Sequence, residues 1–220
     1  MERILCIVIG YVFGLFQTGY IYGKLNNVDI RDHGSGNAGT TNAMRVLGKK
    51  AGIITYLGDC LKAVLASVLI YAIFRNQSQD YLFILKIYGG LGVVLGHNFP
   101  FYMGFKGGKG IAASSGVILG LGDWKLILLA LFTFTLVTVF TKYVSVGSLV
   151  MMAGFLVEFI IFNELEMIGV KSNMHFSGNA RIEVYLLVFI ISALAFIKHK
   201  ANIKRLIDGN ERKIGQKKEV

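Results

Sequence analysis

Seven apolar runs follow one another along the chain, at about 4–23, 51–74, 81–96, 110–122, 124–141, 145–162 and 182–198. Most approach the roughly 20 residues needed to cross a hydrocarbon core of about 30 Å. They are apolar around the whole helical circumference, whereas helices of a soluble bundle keep a polar face. With 54% hydrophobic and only 16% charged residues, the chain reads as all-α: a polytopic integral membrane protein with seven transmembrane helices. No internal repeat or low-complexity linker divides it, so residues 1–220 read as a single membrane-embedded domain. The first run is uncharged, longer than the apolar core of a signal peptide and without a clear A-x-A cleavage site, so it reads as a retained span. The fourth, "GIAASSGVILGLG", is short for a crossing, with a re-entrant segment as the alternative.

Charge orients the spans. If all seven runs cross, segments 24–50, 97–109, 142–144 and 198–220 share one side and carry 5, 2, 1 and 8 Lys or Arg, sixteen in all. The other side holds only Arg3, Arg75, Lys125, Lys171 and Arg181. The positive-inside rule then places the N-terminus outside and the C-terminus in the cytoplasm. A re-entrant fourth run would put the eight-cation tail opposite the first two basic loops, which favours seven crossings. In a soluble protein a net charge of +10 would suggest nucleic acid. Here the cations lie between spans and point to anionic ligands and the lipid surface instead.

Inside the runs, Asp59 and Lys62 stand three residues apart and share a helix face, as a neutralising pair between helices would. Glu158 has no evident partner in the sequence. Cys6 and Cys60 lie in apolar runs without ligand spacing and read as small core residues.

The chemistry-bearing residues lie in the cation-rich segments. "DIRDHGSGNAGTTNAMRVLGKK" brings Gly34, Gly36 and Gly39, whose amides can approach an anion, together with Ser35 and Asn37 as neutral donors. Arg45 adds a fork suited to phosphate. An ordinary turn with a helix cap is the competing reading of this segment. "GHNFPFYMGFKGGKGIAAS" places Gly107, Gly108 and Gly110 before a helix starting near Ile111, whose N-terminal partial charge is directed at the same place. Lys109, with Lys106 as a second candidate, would add full charge. The pattern is not a Walker loop, because Gly104 is wrongly spaced and Gly110 replaces the Ser or Thr that holds magnesium. "TKYVSVGS" ends at Ser148. In "KHKANIKRLIDGNERKIG", His199 and Asn202 share a helical face just beyond the seventh run. A basic anchor on anionic lipid would explain the tail's lysines but not that pair. No carboxylate cluster offers a metal site, so the patches suit metal-free transfer between phosphate-bearing molecules near lipid.

These stretches closely resemble the bacterial acyl-phosphate:glycerol-3-phosphate acyltransferases, the PlsY family. The matches are "DIRDHGSGNAGTTN…R", "GHNFPFYMGFKGGKGIA", "KYVSVGS" and "HKANIKRLIDGNE", in order along nearly the whole chain. The resemblance implies a seven-span inner-membrane enzyme that moves a fatty acyl group from acyl phosphate to the 1-hydroxyl of glycerol 3-phosphate, without a cofactor. It would use neither acyl-CoA nor acyl carrier protein as direct donor. The family lacks the H-x4-D motif, and here Ala38, Tyr102, Ala180 and Lys204 stand five places after His33, His97, His175 and His199. Its functional positions fall on Ser35, Arg45, Lys109, the glycines at 107 and 108, Ser148, His199 and Asn202, and His97 matches the family's "GH". By this reading Lys109 and the Gly107 and Gly108 amides grip the acyl phosphate, and Arg45, His199 and Asn202 hold glycerol 3-phosphate. Ser35 and Ser148 hydrogen-bond at the reacting centre. Either His199 or His97 could act as general base, whereas the resemblance implies that a substrate phosphate takes the proton. Two features depart from the family: Gln17, Thr18 and Gly19 replace a usual Ser-x-Pro, and the stretch 163–181 is longer than usual. A phosphate or organophosphate transporter is the alternative function, but transporters place their sites near the midplane on broken helices. A structural protein with lipid-binding loops would leave the glycine pattern unexplained.

Overall fold

The computed structural model describes residues 1–169 and 174–214. Lys171, Lys217 and Lys218, and the middle of the long 163–181 stretch, lie outside the described residues. Ten α-helices run through the described residues: α1 (Glu2–Gly14), α2 (Thr18–Leu25), α3 (Thr40–Leu47), α4 (Lys49–Phe74), α5 (Gln79–Asn98), α6 (Ile111–Leu121), α7 (Trp124–Thr141), α8 (Val144–Glu164), α9 (Gly178–Lys198) and α10 (Lys200–Ile207). The only strand-like pairing among them is one antiparallel bridge between Ile168 and Met174. Helices satisfy their own backbone hydrogen bonds, which is what an apolar surrounding demands.

Each apolar run becomes helical. Six segments are long and apolar enough to cross a membrane: α1 with α2, α4, α5 continued to Met103, α7, α8 and α9. The fourth run forms α6, whose 11 residues reach about 16 Å, short of a hydrocarbon core on their own. At the centre stands α5. In its most apolar window 78% is buried, against 22–44% for the other five.

Small residues set the packing. Gly10 and Gly14 of α1 lie against the backbone of Gly89, Val93 and Gly96 on α5, and Gly92 and Gly96 of α5 return the contact to Ile7 and Tyr11. Each helix thus brings a G-x-x-x-G pair to the seam. Between apolar helices no hydrophobic gain distinguishes protein from lipid, so close backbone approach is what favours association. A third such pair, Gly116 and Gly120 on α6, packs on Cys60, Ala63 and Ser67 of α4. Cys6 and Cys60 are both buried free thiols.

The first run is broken between Gly14 and Thr18, at the Gln17-Thr18-Gly19 departure. Three carbonyls lose their helical partners there and receive others. Gln17 is wholly buried and donates through Nε2 to the carbonyls of Gly14 (3.2 Å) and His97 (3.0 Å). Lys62 Nζ donates to the carbonyls of Gly14 and Phe16, and the Tyr102 hydroxyl to that of Leu15 (2.7 Å). The backbone N–H and hydroxyl of Thr18, at the start of α2, both donate to Asp59 Oδ1. An acid at a helix N-terminus also answers its partial positive charge. The Asp59–Lys62 ion pair (3.1 Å) therefore joins α4 to the broken first span and to α5. Glu158, by contrast, has a buried Oε2 without a hydrogen-bond partner among the described residues.

At the end of the bundle away from the cation-rich loops, polar groups close on one another. Arg3 pairs with Glu183, which also accepts from Tyr88. The start of α7 is bonded to Gly169, in the chain after α8. Asp123 caps α7 through Oδ1 and accepts from the Gly169 N–H (2.8 Å) through Oδ2, while Lys125 donates to the Gly169 carbonyl (3.0 Å). Asn163 holds the returning strand by accepting from the Phe176 N–H (2.7 Å) and donating to its carbonyl (3.0 Å). Phe176 then stacks beside Phe83 of α5, with ring centroids 5.7 Å apart.

Candidate active site

The 26–39 loop is folded by local polar chemistry. Asp29 caps the short turn Ile30–Asp32 and pairs in two-pronged fashion with Arg31, at 2.9 and 2.7 Å. Asn42, buried near the start of α3, accepts from the Ser35 N–H (2.8 Å) and donates to the carbonyls of Ile30 (2.7 Å) and His33 (3.1 Å). One amide thus fixes the position of Ser35 relative to Arg45, one turn further along α3.

The 99–110 loop starts at Pro100 and folds back onto the end of α5. The N–H groups of Gly107 and Gly108 donate to the carbonyls of Asn98 (3.2 Å) and His97 (3.1 Å). This corrects the expectation that these two amides receive an anion, because both are already bonded to main chain. Their lack of side chains serves packing instead. A Cβ at Gly107 would overlap the His97 carbonyl, and one at Gly108 would overlap the His97 ring at Nε2. The chain then passes through Lys109 to Gly110, whose φ of +84° suits glycine at the N-cap of α6. The first N–H groups of α6 have no intrahelical acceptor, and Gly110, Ile111 and Ala112 line a cavity there. Of the expected anion cradle, Gly110 and the start of α6 line the cavity, and Gly107 and Gly108 do not.

Ser145 and Ser148 lie in the first turns of α8, and His199 and Asn202 at the junction of α9 and α10. The Ser148 hydroxyl donates to the Val144 carbonyl (2.8 Å), which leaves its oxygen free to accept. His199 Nδ1 lies 2.7 Å from the Ala195 carbonyl. A carbonyl only accepts, so Nδ1 carries the proton and Nε2 keeps its lone pair. Burial, and after it Lys109, push His199 down to about 4, so it is neutral at pH 7. Lys109 donates to Asn202 Oδ1. Burial pushes Lys109 down to about 8, opposed by Glu211 and helped by Arg205 and Arg45, so it is charged at pH 7.

All these groups face one cavity of about 450 Å³, within the range of small-molecule sites. Ser35, Arg45, Lys109, Ser148, His199 and Asn202 all line it. Gly34, Asn37, His97 and Gly110 line it as well, while Gly36, Gly107 and Gly108 do not. Lys106 is exposed and not part of the wall. Tyr56, Phe134 and Val144 make an apolar side.

Sequence reasoning missed Glu211. Its carboxylate accepts from Asn202 (2.6 Å), Ser145 (2.9 Å) and Arg205 (2.7 Å). Asn202 therefore points its amide nitrogen at Glu211 and its oxygen at Lys109. Burial works against the Glu211 charge, but these three donors outweigh it and hold the carboxyl below its usual range. The tail is tied over the cavity where the Ile214 N–H donates to the Lys142 carbonyl (2.8 Å). An acid flanked by Arg205, Arg212 and Lys213 was the available signal. Asn42 gave none, since its partners are main-chain atoms.

A membrane-type helical bundle with cations and unbonded helix amides turned into one end cavity defines a multi-pass protein with an anion-receiving site. The family model for glycerol-3-phosphate acyltransferase matches residues 4–209. A glycerol-3-phosphate acyltransferase of Clostridioides difficile (strain 630) is 41% identical, covering 98% of this chain and 97% of its own. The one from Alkaliphilus metalliredigens (strain QYMF) is 38% identical over the whole of both. Among solved structures, PlsY (YgiH), an integral membrane glycerol 3-phosphate acyltransferase, is similar in its glycerol 3-phosphate form with TM-score 0.81 and 28% identity, covering 98% of this chain and 96% of that one. Its lysophosphatidic acid form is similar with TM-score 0.78 and 27% identity. The chain belongs to the glycerol-3-phosphate acyltransferase family of the PlsY type.

Proposed function

We propose that the protein transfers a fatty acyl group from acyl phosphate to the 1-hydroxyl of glycerol 3-phosphate, giving lysophosphatidic acid and phosphate. This would be the first acylation of phospholipid synthesis. The observation that carries the reading is the convergence of Lys109, the α6 N-terminus, Arg45 and the His199–Asn202 pair on one cavity. Both substrates bear phosphate, so holding two anions side by side is the main physical problem. The glycerol 3-phosphate and lysophosphatidic acid forms of PlsY (YgiH) supply substrate and product classes that fit such a cavity.

In this reading Lys109 and the free amides of α6 hold the acyl phosphate, and Arg45 with Asn202 holds glycerol 3-phosphate. The C1 hydroxyl oxygen attacks the acyl carbonyl carbon. The carbon–oxygen bond to phosphate then breaks, and the departing charge falls on Lys109 and the helix terminus. His199 Nε2 accepts a hydrogen bond from the neighbouring C2 hydroxyl of glycerol 3-phosphate, which orients C1 for attack and leaves the C1 hydroxyl proton directed at a phosphate oxygen. With its pKa near 4, His199 is a weaker base than a phosphate whose second pKa is ~6, so a substrate phosphate takes the proton. No hydrogen bond joins His199 to Ser35 or Ser148 among the described residues, which favours positioning by the serines over an acyl-enzyme. The donor is already activated, so positioning and electrostatics suffice.

The site would face the cytoplasm from the inner membrane, with the N-terminus outside and α6 as a short seventh crossing. The sixteen-to-five distribution of cations supports this orientation. A transporter is disfavoured by the anion-binding groups being gathered at one end of the bundle. The test supplies purified protein with labelled glycerol 3-phosphate and one donor at a time: acyl phosphate, acyl-CoA or acyl carrier protein. Lysophosphatidate is expected from acyl phosphate alone. Product from acyl-CoA and none from acyl phosphate would overturn the donor assignment.

A further inference from the structure

Two histidines line the cavity, and their hydrogen bonds set them to opposite tasks. His199 keeps a lone pair on Nε2 because its Nδ1 proton is held by a carbonyl. His97 is 2% exposed, and its Nδ1 lies 2.9 Å from Lys62 Nζ. An ammonium has three N–H bonds and no lone pair. With the Gly14 and Phe16 carbonyls and Asp59 Oδ1 also around it, it shares a proton with His97 Nδ1 as a fourth acceptor, an arrangement that puts the ring proton on Nε2. Asp59 Oδ1 stands 3.8 Å from the same Nδ1. Were Lys62 absent, His97 could turn its Nδ1 proton to Asp59 and expose a lone pair at Nε2, the arrangement of a carboxylate-supported general base. Lys62 stands between them, donating to Asp59 Oδ1 (3.1 Å) as well.

We infer that Lys62 is a positioning residue of the transfer site: it fixes His97 as a neutral Nε2–H donor beside the 107–110 loop and prevents it from acting as a base. The ligand atom that receives this proton is a phosphate oxygen held by Lys109 and α6. The inference rests on the proposed function for the identity of that phosphate, but not for the tautomer. Geometry links the same residues to the loop's shape. The His97 carbonyl accepts from Gly108 N–H and from Gln17, and Gly108 has no side chain to separate the loop from Nε2. Lys62 also bonds the carbonyls of Gly14 and Phe16 at the break in the first span. A single ammonium on α4 thereby connects the span break, the His97 ring and the phosphate loop. The local sequence shows only the Asp59 partner on the same helix; the partners at Gly14, Phe16 and His97 come from elsewhere in the chain.

The wild-type protein provides the primary test, so no variant need fold. In a nitrogen-15 spectrum of labelled protein, the His97 ring is expected with its proton on Nε2 and an unprotonated Nδ1. A proton on Nδ1, or on both nitrogens near pH 7, would overturn the inference even if acyl transfer were confirmed. Adding inorganic phosphate should shift the Nε2 proton resonance, and no shift at saturation would overturn the donor role. Lys62→Met, shown folded by thermal melting, should raise KM for acyl phosphate about tenfold while kcat changes less, since one neutral hydrogen bond contributes roughly that factor. Lys62→Arg should recover part of the loss. A folded Lys62→Met with unchanged KM would contradict the positioning role. Absence of acyl transfer in the wild type, with the tautomer as expected, would instead count against the proposed reaction.

Discussion

The two ends of the bundle use similar residues differently. At the end holding Asp123, Asn163 and Glu183, polar side chains are bonded to one another and to main chain. Asn163 binds the Phe176 backbone in both directions, and Asp123 uses both oxygens, on α7 and on Gly169. At the other end, Arg45 has no ion-pair partner among the described residues, the α6 amides have no helical acceptor, and His199 keeps an open Nε2. Donors left unbonded inside a protein cost free energy. Where they converge, a ligand is the natural partner. Closure at one end and unmet hydrogen-bonding capacity at the other separate architecture from chemistry.

The largest expected effect lies at the open end. Lys109→Ala should lower kcat/KM by about 10²–10³-fold, the scale of losing one charge-stabilising donor, with the melting temperature nearly unchanged. The closed end should give the reverse. Asn163→Ala removes the hydrogen bonds to Phe176 and should cost about 1–3 kcal/mol of stability, measured by thermal melting in detergent, with activity per folded molecule intact.

A subtler contrast is in pH dependence. Lys109 is charged below its pKa of about 8, so kcat/KM should fall as pH rises through that value, and Lys109→Arg should move the fall to higher pH. His199, near 4, should contribute no step between about pH 6 and 8. The smallest effect is expected at Lys106, exposed and off the cavity wall. Lys106→Ala should change kcat/KM by less than about twofold, in line with a screened surface charge. A loss at Lys106 as large as that at Lys109 would break the distinction between the two lysines.

Much of this was legible in the sequence. Apolar runs fixed the helices because length and hydropathy are local properties, and one-sided cations drew together segments that do meet at one cavity. What escaped depends on distant partners. Gln17 reads as part of an unbroken span until Lys62, Tyr102 and His97 are seen around the break. Gly107 and Gly108 read as bare amides until the His97 and Asn98 carbonyls occupy them. Glu211 reads as one more tail residue until Asn202, Ser145 and Arg205 close on it. The G-x-x-x-G pairs of α1, α5 and α6 went unread in the sequence, because only packing assigns their partners.

The most direct measurement asks whether the cavity holds two phosphate-bearing molecules together. Glycerol 3-phosphate is titrated calorimetrically into purified protein at rising concentrations of a non-reacting acyl phosphonate. An apparent Kd that levels off at saturating phosphonate is the expected result, because separate groups hold the two anions. An apparent Kd that keeps rising in proportion to the phosphonate would mean a single shared anion position and would contradict it.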